Sequence, residues 1–94
     1  MKRDLVRKLL LYIVDQLEDM NGQISTIRLV KLLYLIDLDY FVSHKAILTE
    51  IKWYFYKYGP YFFELGDILR SAAIDLEATE FLTSSGKGIT FKVL

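Results

Sequence analysis

The sequence predicts an α+β fold: three main helices with a small antiparallel sheet, made of one strand before the third helix plus a C-terminal hairpin. Three observations carry that prediction. Apolar residues recur at spacings of three and four in the first half and again after Pro60. The period switches to two in IKWYFYKY, and two β-rich runs, TEFLT and ITFKV, flank the glycine-bearing SSGKG. A chain of 94 residues with no linker, repeat or low-complexity segment fits a single domain, 1–94.

The first helix is expected over about residues 2–20. Its stripe is Leu5, Leu9, Ile13, Leu17 and Met20, widened by Val6, Leu10 and Val14; Asn21-Gly22 ends it, since both tolerate the left-handed backbone of a helix stop. Ser25 is the expected N-cap of a second helix over about 26–43. Its body, RLVKLLYLIDLDYFV, is apolar almost all round, as in a helix buried in the middle of a domain. After the loop HKAILTE a strand is expected over about 51–57, with Lys52 and Lys57 marking an exposed edge. Alternation sets Ile51, Trp53 and Phe55 on one face and Tyr54, Tyr56 and Tyr58 on the other. The third helix is expected over about 60–76, with Phe62, Leu65, Leu69, Ala72 and Leu76 on one stripe, and hairpin strands over about 78–83 and 89–93.

Composition narrows the function. The chain is 53% apolar and 26% charged, which marks a packed globule rather than a disordered segment. Twelve basic residues balance twelve acidic ones, so no net field recruits nucleic acid, and none is expected as a partner. With no cysteine there is no thiol nucleophile, disulfide or thiolate metal site. The basic, apolar opening superficially resembles a signal peptide, but Asp4 and Asp15 bracket its apolar run and no small-residue cleavage site follows. Uninterrupted apolar runs fall far short of the ~20 residues a membrane helix needs, so a cytoplasmic protein is expected.

The Gly59-Pro60 step has a local explanation. Pro60 fits the first position of a helix, and Gly59 turns the chain sharply from strand to helix. The free N–H groups of Tyr61, Phe62 and Phe63 would then open that helix with partial positive charge. At 100° per residue, with Arg28 at zero, Asp39 lies near about 20° and Lys31 near about 300°, on the side assigned to solvent. Asp37 falls opposite, beside Val30, Leu33 and Phe41. A carboxylate there needs donors, and the expected ones are the helix start at Pro60 or nearby tyrosine hydroxyls. The contact either locks the fold or belongs to a partner site.

Catalytic signals are weak. His44 is the only histidine, with no nucleophile beside it, and reads as a surface residue without a task rather than a general base. One histidine with scattered carboxylates gives no metal spacing, and no cofactor is expected. SGKGIT fails the phosphate-loop pattern, because Gly88 follows Lys87 and Phe81 stands where the first glycine belongs. No enzyme is expected. The tyrosine row Tyr54, Tyr56 and Tyr58, with Tyr61 past the turn, reads either as cover for the helices or as a partner surface of rigid aromatic anchors. An exposed strand there also suits pairing with an extended peptide.

Two stretches in order, IRLVKLLYLIDLDYF and WYFYKYGPYFFEL, resemble the antitoxin SocA-like Panacea domain family over roughly residues 24–70. The family's K-L-L-Y-x-x-D helix maps onto Lys31, Leu32, Leu33, Tyr34 and Asp37; its aromatic strand running into G-P maps onto Tyr54, Tyr58, Gly59, Pro60 and Tyr61. The chain departs from it in carrying HKAILTE where a glycine turn is common, and in ending with a hairpin where many members add helices. The resemblance implies a non-catalytic antitoxin or adaptor, of the kind found in toxin–antitoxin and phage-defence loci. Its partner would be a protein: a cognate toxin, or a protease system to which the toxin is delivered. The motif core would be Lys31, Tyr34, Asp37, Tyr54, Tyr56, Tyr58, Gly59, Pro60 and Tyr61.

A different class competes with this expectation. Three helices and a C-terminal hairpin also suit a winged-helix DNA-binding regulator with SSGKG as its wing. A basic patch linking Lys87, Lys92 and Lys52 would favour it, whereas the acids of PYFFELGDILRSAAIDLEA and its single arginine do not suit a recognition helix.

Overall fold

The computed structural model describes residues 1–16, 24–72, 76–83 and 86–93, with side chains through residue 72. In chain order the elements are α1 (Arg3–Gln16), β1 (Ile24–Ser25), α2 (Thr26–His44), β2 (Tyr54–Tyr56), β3 (Gly59–Tyr61), α3 (Leu65–Ser71), β4 (Leu76–Thr83) and β5 (Gly86–Val93). The α+β class and its three helices are as expected. The strands are shared between two sheets: a three-stranded antiparallel sheet of order β1-β5-β4, and a separate two-stranded ribbon of β2 and β3. The strand before α3 therefore does not join the hairpin.

Helix α1 buries Val6, Leu10, Ile13 and Val14, while Leu5 and Leu9 are only half-buried, so the core-facing stripe is centred on Val6 and Leu10. Its predicted continuation through Leu17 and Met20, and the Asn21-Gly22 stop, lie outside the described residues. Helix α2 starts as expected: the Ser25 hydroxyl accepts from the Arg28 N–H at 3.3 Å and satisfies one free donor of the first turn. It stops at Lys45, whose left-handed backbone (φ 58°) lets its N–H reach the Phe41 carbonyl at 2.8 Å. Only Leu29, Val30, Leu33 and Asp37 of α2 are buried. The expectation of a helix enclosed on all sides is corrected, because α1, strand β3 of the ribbon and strands β1 and β5 pack against α2 and leave Ile27, Leu35, Leu38, Phe41 and Val42 exposed.

The principal correction concerns the glycine–proline step. Gly59 and Pro60 belong to strand β3, and helix α3 opens at Leu65 and closes at Ser71, well inside the expected 60–76 span. Ribbon pairing sets Tyr54 opposite Tyr61, Phe55 opposite Pro60 and Tyr56 opposite Gly59. Pro60 is tolerated because a two-stranded ribbon consists of edge strands, where a missing N–H need not break a ladder. Gly59 has φ 116°, the positive-φ position that follows a tight hairpin turn. The strand ends at Tyr61, Phe62 is fully buried, and Phe63 and Glu64 turn the chain into α3.

One core joins Val6, Leu10, Ile13 and Val14 of α1 to Ile24, Leu29, Val30, Leu33, Ile51, Phe62, Leu65, Ile68 and Ala72. Each such side chain contributes roughly 1.5–3 kcal/mol on removal from water. No described helix is long and apolar enough to cross a membrane.

Candidate functional site

The ribbon β2–β3 projects aromatic rings from both faces. On one face Tyr34 of α2 meets Trp53 and Phe55 edge-on, each at 5.3 Å between ring centroids, and Trp53 meets buried Phe62 at 5.4 Å. On the other face Tyr54 lies 4.6 Å from Phe63, Tyr61 5.8 Å from Phe63 and Tyr56 5.7 Å from Tyr61. These separations suit offset and edge-to-face ring packing, so the rings hold one another in place. Phe55, Tyr56, Tyr58 and Phe63 remain between 56% and 63% exposed. Lys52 and Lys57 sit over the Tyr54 and Tyr58 rings at 5.9 and 5.6 Å, adding positive charge around them.

Beneath the ribbon lies the buried carboxylate. Asp37 is 1% exposed and accepts three hydrogen bonds from neutral donors: the Thr49 N–H at 3.1 Å, the Thr49 hydroxyl at 2.5 Å and the Trp53 indole N–H at 2.9 Å. The Ile51 N–H donates to the Thr49 hydroxyl oxygen at 3.2 Å, so that hydroxyl is both donor and acceptor. A left-handed Glu50 (φ 57°) lets the loop double back between Thr49 and Ile51. The inward direction of Asp37 is as expected, but its partners are not. They are neither the amides after Pro60 nor tyrosine hydroxyls, because no helix starts at Pro60 and the strap from Thr49 to Trp53 reaches the carboxylate first. Every buried side-chain N or O among the described residues has a partner.

The structure gathers most of the expected motif residues but gives them different tasks. Tyr34 and Asp37 brace the ribbon through Trp53; Tyr54 and Tyr61 are half-buried, Tyr61 packing against the core; Tyr56 and Tyr58 are exposed. Gly59, Pro60, Tyr56, Tyr58 and Tyr61 line an apolar cleft of about 180 Å³ closed on its other side by Ile27 and Val30 of α2. Lys31 is apart from them, exposed on α2. Thr49 and Trp53 escaped the sequence reading. The signal was present, since a tryptophan packed in a core needs an acceptor for its N–H and Asp37 was an acceptor in need of donors. His44 is the last residue of α2 rather than a loop residue; it stacks on Tyr40 at 3.9 Å and its Nδ1 lies 3.2 Å from the Tyr40 carbonyl.

Comparison with known proteins agrees with the motif. No curated protein and no solved structure matches the chain. The family model described as "Antitoxin SocA-like, Panacea domain" matches residues 29–88, more than half of the chain, and spans both the Asp37 node and the aromatic ribbon. This chain belongs to the antitoxin SocA-like Panacea domain family.

Proposed function

We propose that this domain is a non-catalytic antitoxin: it binds a cognate toxin protein in the cytoplasm and neutralises it, either by covering its working surface or by presenting it to a protease. The supporting observation is the exposed ribbon inside the family-matched segment. Its rings are preorganised by packing and by the Asp37 hydrogen bonds, so little side-chain freedom is lost when a partner lands on them. Tyr54, Tyr56, Tyr58 and Tyr61 are assigned to the contact, with Gly59 and Pro60 shaping the cleft for a partner side chain. Tyr34 and Asp37 act as positioning residues, and Lys31 extends the surface along α2.

The test pairs this chain with the product of its neighbouring gene. That product should arrest growth alone and be harmless with this chain, and the purified pair should bind directly. Tyr56→Ala combined with Tyr58→Ala should weaken binding by about 100-fold or more while leaving the melting temperature unchanged. A neighbour that is harmless by itself and forms no complex would remove the antitoxin reading.

A second reading is favoured by one observation. Helix, short strand, helix, helix and hairpin, with the first strand pairing to the last (order β1-β5-β4), is the winged-helix arrangement once the ribbon is set aside as an insertion. A DNA-binding regulator would need a cationic recognition helix, and α3 offers Arg70, whose guanidinium is bonded to Asp67. The Lys87 and Lys92 side chains of the expected patch lie outside the described residues. Tight binding to random duplex with a steep salt dependence would promote this reading over the first.

A further inference from the structure

We propose that the outer face of α2 is a self-association surface, on which a second copy of this chain packs antiparallel to form a two-fold dimer. Ile27, Leu35, Leu38, Phe41 and Val42 are 55%, 44%, 43%, 42% and 65% exposed. At 100° and 1.5 Å per residue they fall in a stripe about 120° wide and about 22 Å long, the width a helix normally turns toward a core. The stripe is centred well away from buried Leu29 and Leu33, with Phe41 at its rim about 40° around the helix from Asp37, and no packing among the described residues covers it. Those five side chains leave roughly 500 Å² uncovered per copy, so pairing two copies removes about 1,000 Å², where specific interfaces begin.

Charge selects a second copy and its direction. Lys31 lies within the stripe and Asp39 about 40° beyond its Leu35 rim, each four residues from Leu35, and neither takes part in an ion pair among the described residues. A parallel pair of α2 helices would set lysine near lysine and aspartate near aspartate. Antiparallel pairing about Leu35 instead brings the basic half of each helix over the acidic half of the other, and it also opposes the two helix dipoles. A two-fold interface requires this self-complementarity, in which one patch serves both subunits. Shape agrees: Leu32 and Leu35 border two concavities, one of about 430 Å³ toward Arg28 and Lys31 and one of about 390 Å³ toward Asp39 and His44. The two-fold sets the first of these near the second of the other copy, giving the ridge of each helix a groove to enter.

Sedimentation equilibrium of the full chain between about 1 μM and 1 mM tests this, because a micromolar dimer changes mass across that range. A dimer is expected. Leu38→Glu, introduced twice per dimer, should raise Kd by about 100-fold, and Val42→Asp serves as a second variant at a more exposed position. Lys31→Asp alone should weaken the dimer by about tenfold, and adding Asp39→Lys should restore it. Trp53 fluorescence confirms that each variant is folded. A chain that is monomeric throughout, a dimer indifferent to Leu38→Glu, or a double charge swap that restores nothing would each overturn the proposal. A monomer whose toxin binding is lost with Leu38→Glu would assign this face to the toxin and overturn it as well. The two surfaces meet at Ile27 and Lys31 but differ at the tested positions: Tyr56 and Tyr58 belong to the ribbon cleft and Leu38 and Val42 do not, so either proposal can fail without the other.

Discussion

Among the described residues Asp37 accepts three hydrogen bonds, all from uncharged groups, and no cation pairs with it. Hydrogen bonds to a charged acceptor contribute more than neutral ones, and losing that acceptor strands two buried donors and the indole N–H together. Asp37→Ala is therefore expected to lower the unfolding free energy by about 3 kcal/mol, and Trp53→Phe, which removes one donor and keeps most of the packing, by about 1 kcal/mol. Urea titration followed by circular dichroism measures both. An unchanged midpoint for Asp37→Ala would show that the carboxylate does not hold the strap. The need for donors at position 37 was legible in the helical spacing. Which donors would answer was not, because Thr49 reaches Asp37 only after the chain has turned at Lys45, and Trp53 only after it has turned again at Glu50, two left-handed residues of which neither is glycine or asparagine.

At the scale of elements, the ribbon depends on a single backbone conformation. A Cβ built on Gly59 would meet nothing within 4 Å, yet its φ of 116° is one that L side chains rarely adopt. The expected loss for Gly59→Ala, about 1–2 kcal/mol, is thus conformational rather than steric. A D-alanine placed there by chemical synthesis separates the two causes: it should restore stability, whereas a steric origin would leave it as damaging as the L form. Ser25→Ala should cost about 1 kcal/mol by removing the α2 cap, read from the melting curve. The cap was legible because serine before a helical period has a local mechanism. The proline was misread because its fixed φ suits both a helix start and an edge strand, and only cross-strand pairing with Phe55 decides between them.

Across the whole molecule, stability should be uneven. The α1–α2 interface contains seven fully or nearly fully buried apolar side chains from Val6 to Leu33, whereas β2 and β3 form only a two-stranded ribbon with exposed edges and rings. Amide exchange is expected to be slowest at Leu10, Val14, Leu29 and Leu33 and about 100-fold faster or more in Tyr54–Tyr61, following the lower cost of local opening. Uniform exchange across both would contradict a core centred on the helices. The Lys2 N–H bonded to the Thr49 carbonyl at 2.9 Å carries the same logic to the chain's start, tying it to the strap that serves Asp37.

The amino-acid sequence alone determined the α+β class, the three helices, the Ser25 cap, the inward turn of Asp37 and the motif that the family model matches, because each rests on periodicity or on chemistry local to a few residues. Tertiary structure decided the rest. It split the strands into a ribbon and a sheet, gave Asp37 to Thr49 and Trp53, and left the outer face of an almost wholly apolar helix uncovered. Those outcomes depend on which segments meet across the fold, and apolar character shows that a side chain seeks cover without showing whether its own chain or another supplies it.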